Sequence, residues 1–231
     1  MNLILVARSA DRLEEVAEHI RQVAEVEAEV LPADLSQAEG TLRVCERLID
    51  DERPVGLLVN NAGFGLGQDF VGGDIERELN ALNVMVRAVL MTCHAAIPGM
   101  VARGGGGILN IASMAALTAQ GTYSAHKAWV RTFTEGLAAS LKGTGVNATV
   151  VCPGLVHTEF HEKVDVDPGQ WPESAFIPAE RVAAEAIEGV RRGKVVVTPS
   201  RRYRALAGAL KVAPRSLVRA VAGPERSGRR G

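Results

Sequence analysis

The sequence predicts an α/β fold in which helices cover both faces of a parallel sheet. Short apolar runs alternate along the chain with segments whose apolar residues recur at helical spacing. That order of elements builds a parallel sheet through crossover connections. The runs are apolar throughout, as expected for strands buried on both faces. Apolar residues make up 47% of the 231 residues, which is enough to fill such a core.

Six strands are predicted where an apolar run ends at a polar residue or a turn signal. Four glycines at residues 104–107 precede the fourth strand and are predicted to be a flexible linker. Ligands bind beyond the carboxyl ends of the strands in such sheets, so the residues that follow the strands are candidates for a site. The strands are predicted at residues 2–7, 28–31, 55–59, 108–111, 146–151 and 195–197.

Helices are predicted between these strands from apolar stripes and capping signals. Asp11 is predicted to cap the first helix, with Glu14 three residues later completing a capping box. Pro178 suits the first turn of the last helix before the sixth strand. The helices are predicted at residues 12–23, 37–50, 75–100, 123–141 and 178–193.

Composition and charge point to a protein without a nucleic-acid partner. The net charge is −1 at pH 7, although residues 199–231 carry nine basic side chains against one acidic side chain. The three cysteines form no CxxC pair, which indicates free thiols in a reducing compartment. No apolar run of transmembrane length and no signal peptide are evident, so we expect a cytoplasmic protein.

One pair of residues predicts proton-transfer chemistry. Tyr123 and Lys127 are four residues apart in a predicted helix, so they lie on one face about one turn apart. A cation near a phenol favours the phenolate and lowers its pKa, which makes Tyr123 a candidate general acid or base. The same spacing occurs in ordinary surface pairs, so the assignment depends on the residues around it.

Five motifs in the expected order resemble those of the short-chain dehydrogenase/reductase family. The sequence NNAG at residues 60–63 resembles its NNAG segment, and Tyr123-x3-Lys127 resembles its YxxxK signature. Asn83 and Ser113 stand where the family has its active-site asparagine and serine, and PGLVHT at residues 153–158 resembles PGxVxT. The resemblance implies a Rossmann-like doubly wound sheet with three α/β/α layers. It also implies an NAD(P)-dependent oxidoreductase that acts on a carbonyl compound or a secondary alcohol.

The resemblance assigns a role to each residue of the catalytic set. Tyr123 would protonate the alkoxide that forms as hydride reaches a carbonyl, and Ser113 would polarise the carbonyl oxygen. Lys127 would lower the tyrosine pKa and bind the nicotinamide ribose, and Asn83 would hold a water that connects Lys127 to solvent. The cofactor contacts that the resemblance implies are Arg8, Asp34, Leu35, Asn60, Ala62, Gly63, Tyr123, Lys127, Pro153, Gly154, Val156 and Thr158.

Arg8 favours NADP over NAD as the cofactor. It follows the first strand, where an acidic residue would bind the ribose 2′-OH of NAD and an arginine would accept a 2′-phosphate. No Asp or Glu stands at the end of that strand. Asp34 and Leu35 resemble the family's adenine-contacting pair, although Asp34 also fits an ordinary turn or helix cap.

Two features depart from the family pattern. The family begins with a strand and a TGxxxGxG loop that holds the pyrophosphate. This chain starts at what resembles the second strand, so we expect the first βα unit, about thirty residues, to be missing. Its loss would leave unpaired backbone inside the sheet. The ten-residue interval from Ser113 to Tyr123 is short for the family, so we expect Ser113 to reach a different point relative to Tyr123.

The domain layout follows from these elements. Residues 1–198 are predicted to form one domain, in which residues 156–177 are the substrate loop. That loop contains His157 and His161, but no third ligand accompanies them, so no metal site is predicted.

Two questions stay open at the level of sequence. Residues 199–231 have the pattern of a basic amphipathic helix interrupted by Pro214. This tail would dock on the protein or an oligomer interface, or would contact an anionic membrane surface. We expect a homo-oligomer that binds a small carbonyl or alcohol substrate. The alternative to an enzyme is a non-catalytic remnant that serves as a binding or oligomerisation module.

Overall fold

Two parallel sheets form the centre of the computed structural model, which describes residues 1–156 and 172–223. One sheet pairs β1 with β2, and the other has the order β3-β4-β5-β6. All six predicted strands are present, with boundaries within two residues of the predicted ones. The strands are β1 Leu3–Ala7, β2 Ala28–Pro32, β3 Leu57–Asn60, β4 Gly106–Ile111, β5 Val146–Val151 and β6 Val196–Val197.

The helices occupy the predicted intervals, and two more form in the tail. The first helix is capped by Ser9, whose hydroxyl accepts from the Arg12 backbone N–H at 3.4 Å. The prediction of Asp11 as the cap was wrong: Asp11 lies in the first turn, where its charge suits the helix dipole. The helices are α1 Ala10–Ala24, α2 Ala38–Leu48, α3 Ile75–Leu82, α4 Ala88–Ala102, α5 Thr122–Ser140, α6 Ala179–Arg191, α7 Arg201–Val212 and α8 Arg215–Val221.

The larger sheet is covered on both faces, which gives the three α/β/α layers. On one face Ile108 and Val150 are fully buried in a cluster with residues of α4 and α5. On the other face Leu109 and Val151 pack against α6. Neighbouring residues of one strand therefore serve opposite cores, as the alternation of side chains in a strand requires. The expected α/β class with parallel sheets is confirmed.

The six strands do not form one continuous sheet in the described part of the chain. β1 pairs in parallel with β2 alone, and β3 pairs in parallel with β4 alone. Each of these strands therefore has one edge without a strand partner among residues 1–156 and 172–223. Val59 in β3 is 47% exposed and Leu3 in β1 is 37% exposed, so apolar side chains at these strands remain open to solvent.

The glycines before β4 are packed tightly and are not a linker. Gly106 and Gly107 are the first two residues of the strand itself. A Cβ on Gly107 would lie 2.7 Å from Val190 of α6, and one on Gly106 would lie 2.6 Å from Met100 of α4. The absence of side chains at this point lets helices from both layers approach the backbone. The prediction of a flexible linker was wrong for these two residues.

A 28-residue helical segment, Ile75–Ala102, joins α3 to α4 through a π-helical turn at Asn83–Arg87. An 18-residue window of this segment has a mean hydropathy of 1.6, which would suit a membrane span by length and composition alone, and core helices of soluble proteins pass the same test. Here Val89, Cys93 and Met100 pack into the core beside β4. The segment serves as a layer of the domain.

The basic tail folds back on the domain as α7 and α8, with Pro214 between them. Ala207 of α7 is 8% exposed, and Val218 of α8 is 2% exposed. Docking on the protein's own surface, one of the alternatives for this segment, is confirmed for residues up to 223.

Candidate active site

The candidate catalytic residues meet at the carboxyl edge of the larger sheet. Ser113 follows β4 and caps a short 3-10 turn, Met114–Leu117, by accepting from the Ala115 N–H at 3.1 Å. Tyr123 lies in the first turn of α5 and Lys127 in the next. The parallel pairing of β3 with β4 places the NNAG segment, which begins at the end of β3, at the same edge.

The Ser113 side chain lies within hydrogen-bonding reach of the Tyr123 phenol and acts to lower its pKa. The loop between them is held by Ser124, whose hydroxyl lies 2.9 Å from that of Thr118 and accepts from the Gln120 N–H at 3.0 Å. The ten-residue interval is therefore long enough to bring Ser113 to the phenol. The expectation that Ser113 reaches a different point relative to Tyr123 than in the family stays a prediction.

Burial controls the titration of Tyr123. Removal from water raises the pKa of Tyr123 to about 12, because it penalises the phenolate, while the hydrogen bond from Ser113 acts to lower it. The Lys127 ammonium lies 5.8 Å from the centre of the tyrosine ring. Burial and Ser113 account for the shift in the Tyr123 pKa, and the expected lowering of that pKa by Lys127 is not among the causes.

Lys127 is itself deeply buried at the base of the site. It is 4% exposed, and its Nζ donates to the Ile111 carbonyl at 2.9 Å. Burial lowers the pKa of Lys127 to about 8, with an opposing influence from Cys152. A Cβ on Gly63 would lie 3.1 Å from this Nζ, so the backbone of the NNAG segment passes directly beside the ammonium group.

Asn83 opens the π-helical turn between α3 and α4. Its side-chain amide donates to the Ser36 carbonyl at 3.0 Å, which links this helix to the loop after β2. Single π turns are frequent at functional sites because they redirect side chains within a helix. The amide is thus engaged with backbone, and its implied role in holding a water for Lys127 stays a prediction.

The side chain of Asn60 is turned into the protein. It donates to the Asn110 Oδ1 at 2.8 Å and accepts from the Thr92 hydroxyl at 2.9 Å. Asn110 in turn donates to the Thr134 hydroxyl at 2.9 Å. Both ends of the Asn60 amide are therefore used to join β3 to β4 and α4. Any cofactor contact from this residue would have to come from its backbone.

Four more of the predicted cofactor residues follow the strands β1, β2 and β3. Arg8 is exposed after β1, and Asp34 accepts from the backbone N–H and hydroxyl of Ser36 at 2.9 and 2.8 Å, so its carboxylate forms a turn. Leu35 is half-buried beside it, and Ala62 is exposed after β3. Asp34 therefore fits the turn role that the sequence left open.

The segment after β5 is hydrogen-bonded to the short turn that follows Ser113. The Pro153 carbonyl accepts from the Met114 N–H at 2.9 Å, and Gly154 follows it. Val156 forms an isolated parallel bridge with Ile177. Thr158, His157 and His161 lie outside the described residues.

Three features of the site escaped the analysis of the sequence. Tyr203 of α7 contacts Leu155 and Ala175, and Arg215 of α8 donates to the Leu117 carbonyl at 3.2 Å. Asn110 is fully buried in the network with Asn60. Their partners are distant in sequence, so no spacing pattern could have identified the tail residues. A polar residue inside the apolar run of β4 was a usable signal for Asn110.

Within residues 1–156 and 172–223, no cluster of three metal-ligating side chains occurs.

Comparisons with known proteins agree with this arrangement. Residues 1–168 match the short chain dehydrogenase family. An uncharacterised oxidoreductase of Staphylococcus saprophyticus is 32% identical over 185 residues, covering 76% of this chain and 79% of the relative. Sulfoacetaldehyde reductase 2 of Chromohalobacter salexigens is 34% identical over 164 residues, covering 69% of this chain and 64% of the reductase.

Solved structures share the fold over most of the chain. A short-chain dehydrogenase from Sphingobium yanoikuyae in complex with NADPH superposes with a TM-score of 0.82 at 30% identity, covering 91% of this chain and 84% of that one. A bulky-bulky ketone specific alcohol dehydrogenase from Comamonas testosteroni superposes with a TM-score of 0.77 at 26% identity, covering 91% and 82%. The chain therefore belongs to the short-chain dehydrogenase/reductase family of oxidoreductases.

Proposed function

We propose that the protein transfers hydride between NADP(H) and a ketone, an aldehyde or a secondary alcohol, with Tyr123 as the general acid or base. The approach of Ser113, which follows β4, to the phenol of Tyr123 in the first turn of α5 carries this proposal. It places two hydroxyl groups where one can donate a proton to an oxygen that the other orients. Lys127 lies one helical turn further on and supplies a buried positive charge.

The titration of Tyr123 suits the role of proton donor in carbonyl reduction. A proton donor must be protonated at the working pH, and a pKa of about 12 keeps the phenol protonated throughout the neutral range. The reverse reaction needs the phenolate, which burial disfavours. Ser113 lowers the pKa of Tyr123 and thereby eases proton transfer in both directions.

The residues present suit a nicotinamide cofactor at the proton-transfer end. When bound, the cofactor would supply the hydride. Gly63 has no side chain to separate its backbone from the Lys127 ammonium, so a ribose hydroxyl could lie against both. Pro153 and Gly154 would border the nicotinamide, and Asp34, Leu35 and Ala62 would border the adenosine.

NADP is proposed over NAD because Arg8 is exposed at the end of β1. A guanidinium there can bind a 2′-phosphate in bidentate fashion. The complex of the Sphingobium dehydrogenase with NADPH is consistent with this choice.

We also propose a cytoplasmic homo-oligomer. The apolar side chains of Ile75, Leu79 and Leu82 recur at helical spacing on α3 and are 59%, 44% and 41% exposed. A stripe of this kind suits a helix-to-helix contact between subunits.

Contact with an anionic membrane would use the exposed arginines of α7, Arg201 and Arg202. Co-sedimentation with liposomes would test this contact.

Replacing Tyr123 by phenylalanine tests the assigned chemistry. Tyr123→Phe removes the proton donor and keeps the ring, so turnover should be lost while NADPH binding, measured by fluorescence titration, is retained. Turnover at the wild-type rate by the variant would exclude Tyr123 as the acid.

A non-catalytic binding or oligomerisation module is the second candidate. The strand edges of β1 and β3 that have no partner among the described residues favour it, because exposed edges can pair with another chain. Calorimetry with NADPH separates the two proposals. Micromolar affinity supports the enzyme, and oligomerisation without NADPH binding supports the module.

A further inference from the structure

Tyr203 lies in the first turn of α7, in the tail that follows the last strand. Its hydroxyl accepts a hydrogen bond from the Leu155 N–H at 3.1 Å and donates one to the Ala175 carbonyl at 2.9 Å. Leu155 follows β5, and Ala175 precedes α6 by three residues. One phenol therefore joins two backbone positions that lie 20 residues apart, one just before the predicted substrate loop and one near its end.

The ring of Tyr203 lies directly on Gly154. A Cβ at position 154 would fall 2.0 Å from the ring, a distance that no side chain could occupy without moving it. Gly154 is thus required by the approach of Tyr203. Because Gly154 lies in the segment that resembles PGxVxT, the contact bears on the proposed nicotinamide end of the site.

The backbone at the start of α7 is strained in a way that fixes this contact. Ser200 has φ of 73° and ψ of 136°, which is unfavourable for a residue with a side chain. Pro199 before it is fully buried, and Ser200 is 9% exposed. Such a conformation persists only where the surroundings hold it, and here it directs the first turn of α7 towards Gly154.

The contact extends to the catalytic serine through the backbone. The Pro153 carbonyl, adjacent to Gly154, accepts from the N–H of Met114, which follows Ser113. The same tail also holds the other side of the loop, where Arg215 donates to the carbonyls of Leu117 and Thr118 at 3.2 and 3.4 Å. Movement of Tyr203 would thus be transmitted to the segment that borders Ser113.

We propose that Tyr203 is a positioning residue, which fixes residues 153–155 in the conformation that binds cofactor and carbonyl substrate. This inference rests on the proposed function. Tyr203 contacts neither Ser113 nor Tyr123. Its effect is therefore on the fraction of protein molecules in which residues 153–155 have the conformation that binds cofactor and substrate. A lower competent fraction weakens apparent affinity in proportion and leaves the chemical step unchanged.

Tyr203→Phe tests the inference, because it removes both hydrogen bonds and keeps the ring. We expect about a tenfold rise in the dissociation constant of NADPH and in KM for the best substrate of a ketone and aldehyde panel. We expect kcat to stay within about twofold, because Tyr123 and Ser113 are untouched. Arg202→Gln, at an exposed position in the same turn of α7, is the matched control and should leave all three constants unchanged.

A size exchange between positions 154 and 203 tests the ring contact. Gly154→Ala should weaken NADPH binding because its methyl group displaces the Tyr203 ring. Adding Gly154→Ala to Tyr203→Ala should have little further effect, since the ring is already gone. Additive effects in this double-mutant cycle would contradict the contact.

Hydrogen exchange of the Leu155 amide gives a readout that does not depend on activity. The amide should exchange faster in Tyr203→Phe than in the wild type, because its acceptor is lost. If the wild type turns over and Tyr203→Phe has unchanged KM, NADPH affinity and exchange, the inference is overturned. If the wild type neither binds NADPH nor turns over, the proposed function fails, and exchange at Leu155 alone decides whether Tyr203 holds this segment.

Discussion

The side-chain amides of Asn60 and Asn110 are joined by a 2.8 Å hydrogen bond between residues in register on neighbouring strands. Asn110 is fully buried and also donates to Thr134 of α5, the helix that carries Tyr123 and Lys127. The pair therefore links the NNAG segment to α5 through the core. Buried polar networks of this kind fix a single arrangement when every member is satisfied.

Asn110→Ala should destabilise the fold by about 3 kcal/mol, because it leaves polar groups of Asn60 and Thr134 without their partner in a buried site. The measurement is urea denaturation followed by circular dichroism. Asn61→Ala, at an exposed neighbour of Asn60, should change stability by about 0.5 kcal/mol or less. Equal effects of the two substitutions would show that the network adds nothing to the fold.

Ser113→Ala should slow carbonyl reduction by about 10²-fold, since it removes one donor near the developing negative charge. The rate of alcohol oxidation rises with pH as Tyr123 loses its proton. Ser113→Ala should move this rising limb to higher pH, because the Ser113 hydrogen bond lowers the pKa of Tyr123. Steady-state rates measured as a function of pH check both effects. Ser140→Ala, at the exposed end of α5, should leave the profile in place, and an unshifted limb in Ser113→Ala would contradict the coupling.

His126→Gln should reduce the loss of stability in acid. His126 is buried, its Nδ1 has no hydrogen-bond partner among residues 1–156 and 172–223, and burial lowers its pKa. As pH falls through the unfolded value of about 6.5, the unfolded chain binds the proton more readily, so folding stability declines. Glu78 opposes this shift and Lys127 reinforces it.

Urea midpoints at pH 7.5 and 5.5 measure this effect. The difference between the two midpoints should be smaller in His126→Gln than in the wild type. His94→Gln provides the control, because His94 is exposed on α4. A wild-type decline that is unchanged in His126→Gln would assign the acid sensitivity to other groups.

Arg8→Asp should weaken NADPH binding and improve NADH binding, because it replaces a partner of the 2′-phosphate with a carboxylate that repels it. We expect the ratio of the two dissociation constants to change by about 10²-fold, consistent with the loss of one charge-assisted contact and the gain of a repulsion. Arg191→Asp makes the same charge change at the far end of α6, opposite the ligand edge. An unchanged ratio in Arg8→Asp would remove the basis for choosing NADP.

The sequence was informative where local rules decide the structure. Apolar runs located the strands, and the spacing of Tyr123 and Lys127 placed both on one helix. The capping residue of α1 was missed because Ser9 and Asp11 are both good caps and only the entry of the chain selects between them. The packing of Gly106 and Gly107 was missed because a glycine run has the same pattern in a loop and beneath a helix.

Contacts between distant segments were beyond these rules. The pKa of Tyr123 depends on its burial against Leu66, Ala81 and Met85, and burial of that kind has no signature in a four-residue spacing. The hydrogen bonds of Tyr203 with Leu155 and Ala175 depend on the path of the chain after β6. Such contacts follow from the assembled fold alone.

The division of the strands into two sheets has a consequence for the cooperativity of unfolding. β1, α1 and β2 are consecutive, and within the described part of the chain the two strands are hydrogen-bonded only to each other, so this unit can open while every pairing in the larger sheet stays intact. Arg8 and Asp34 belong to this unit, and Tyr123 and Lys127 belong to the other. A dinucleotide that spanned both would link two separate opening equilibria and act as a structural element of the protein as well as its coenzyme.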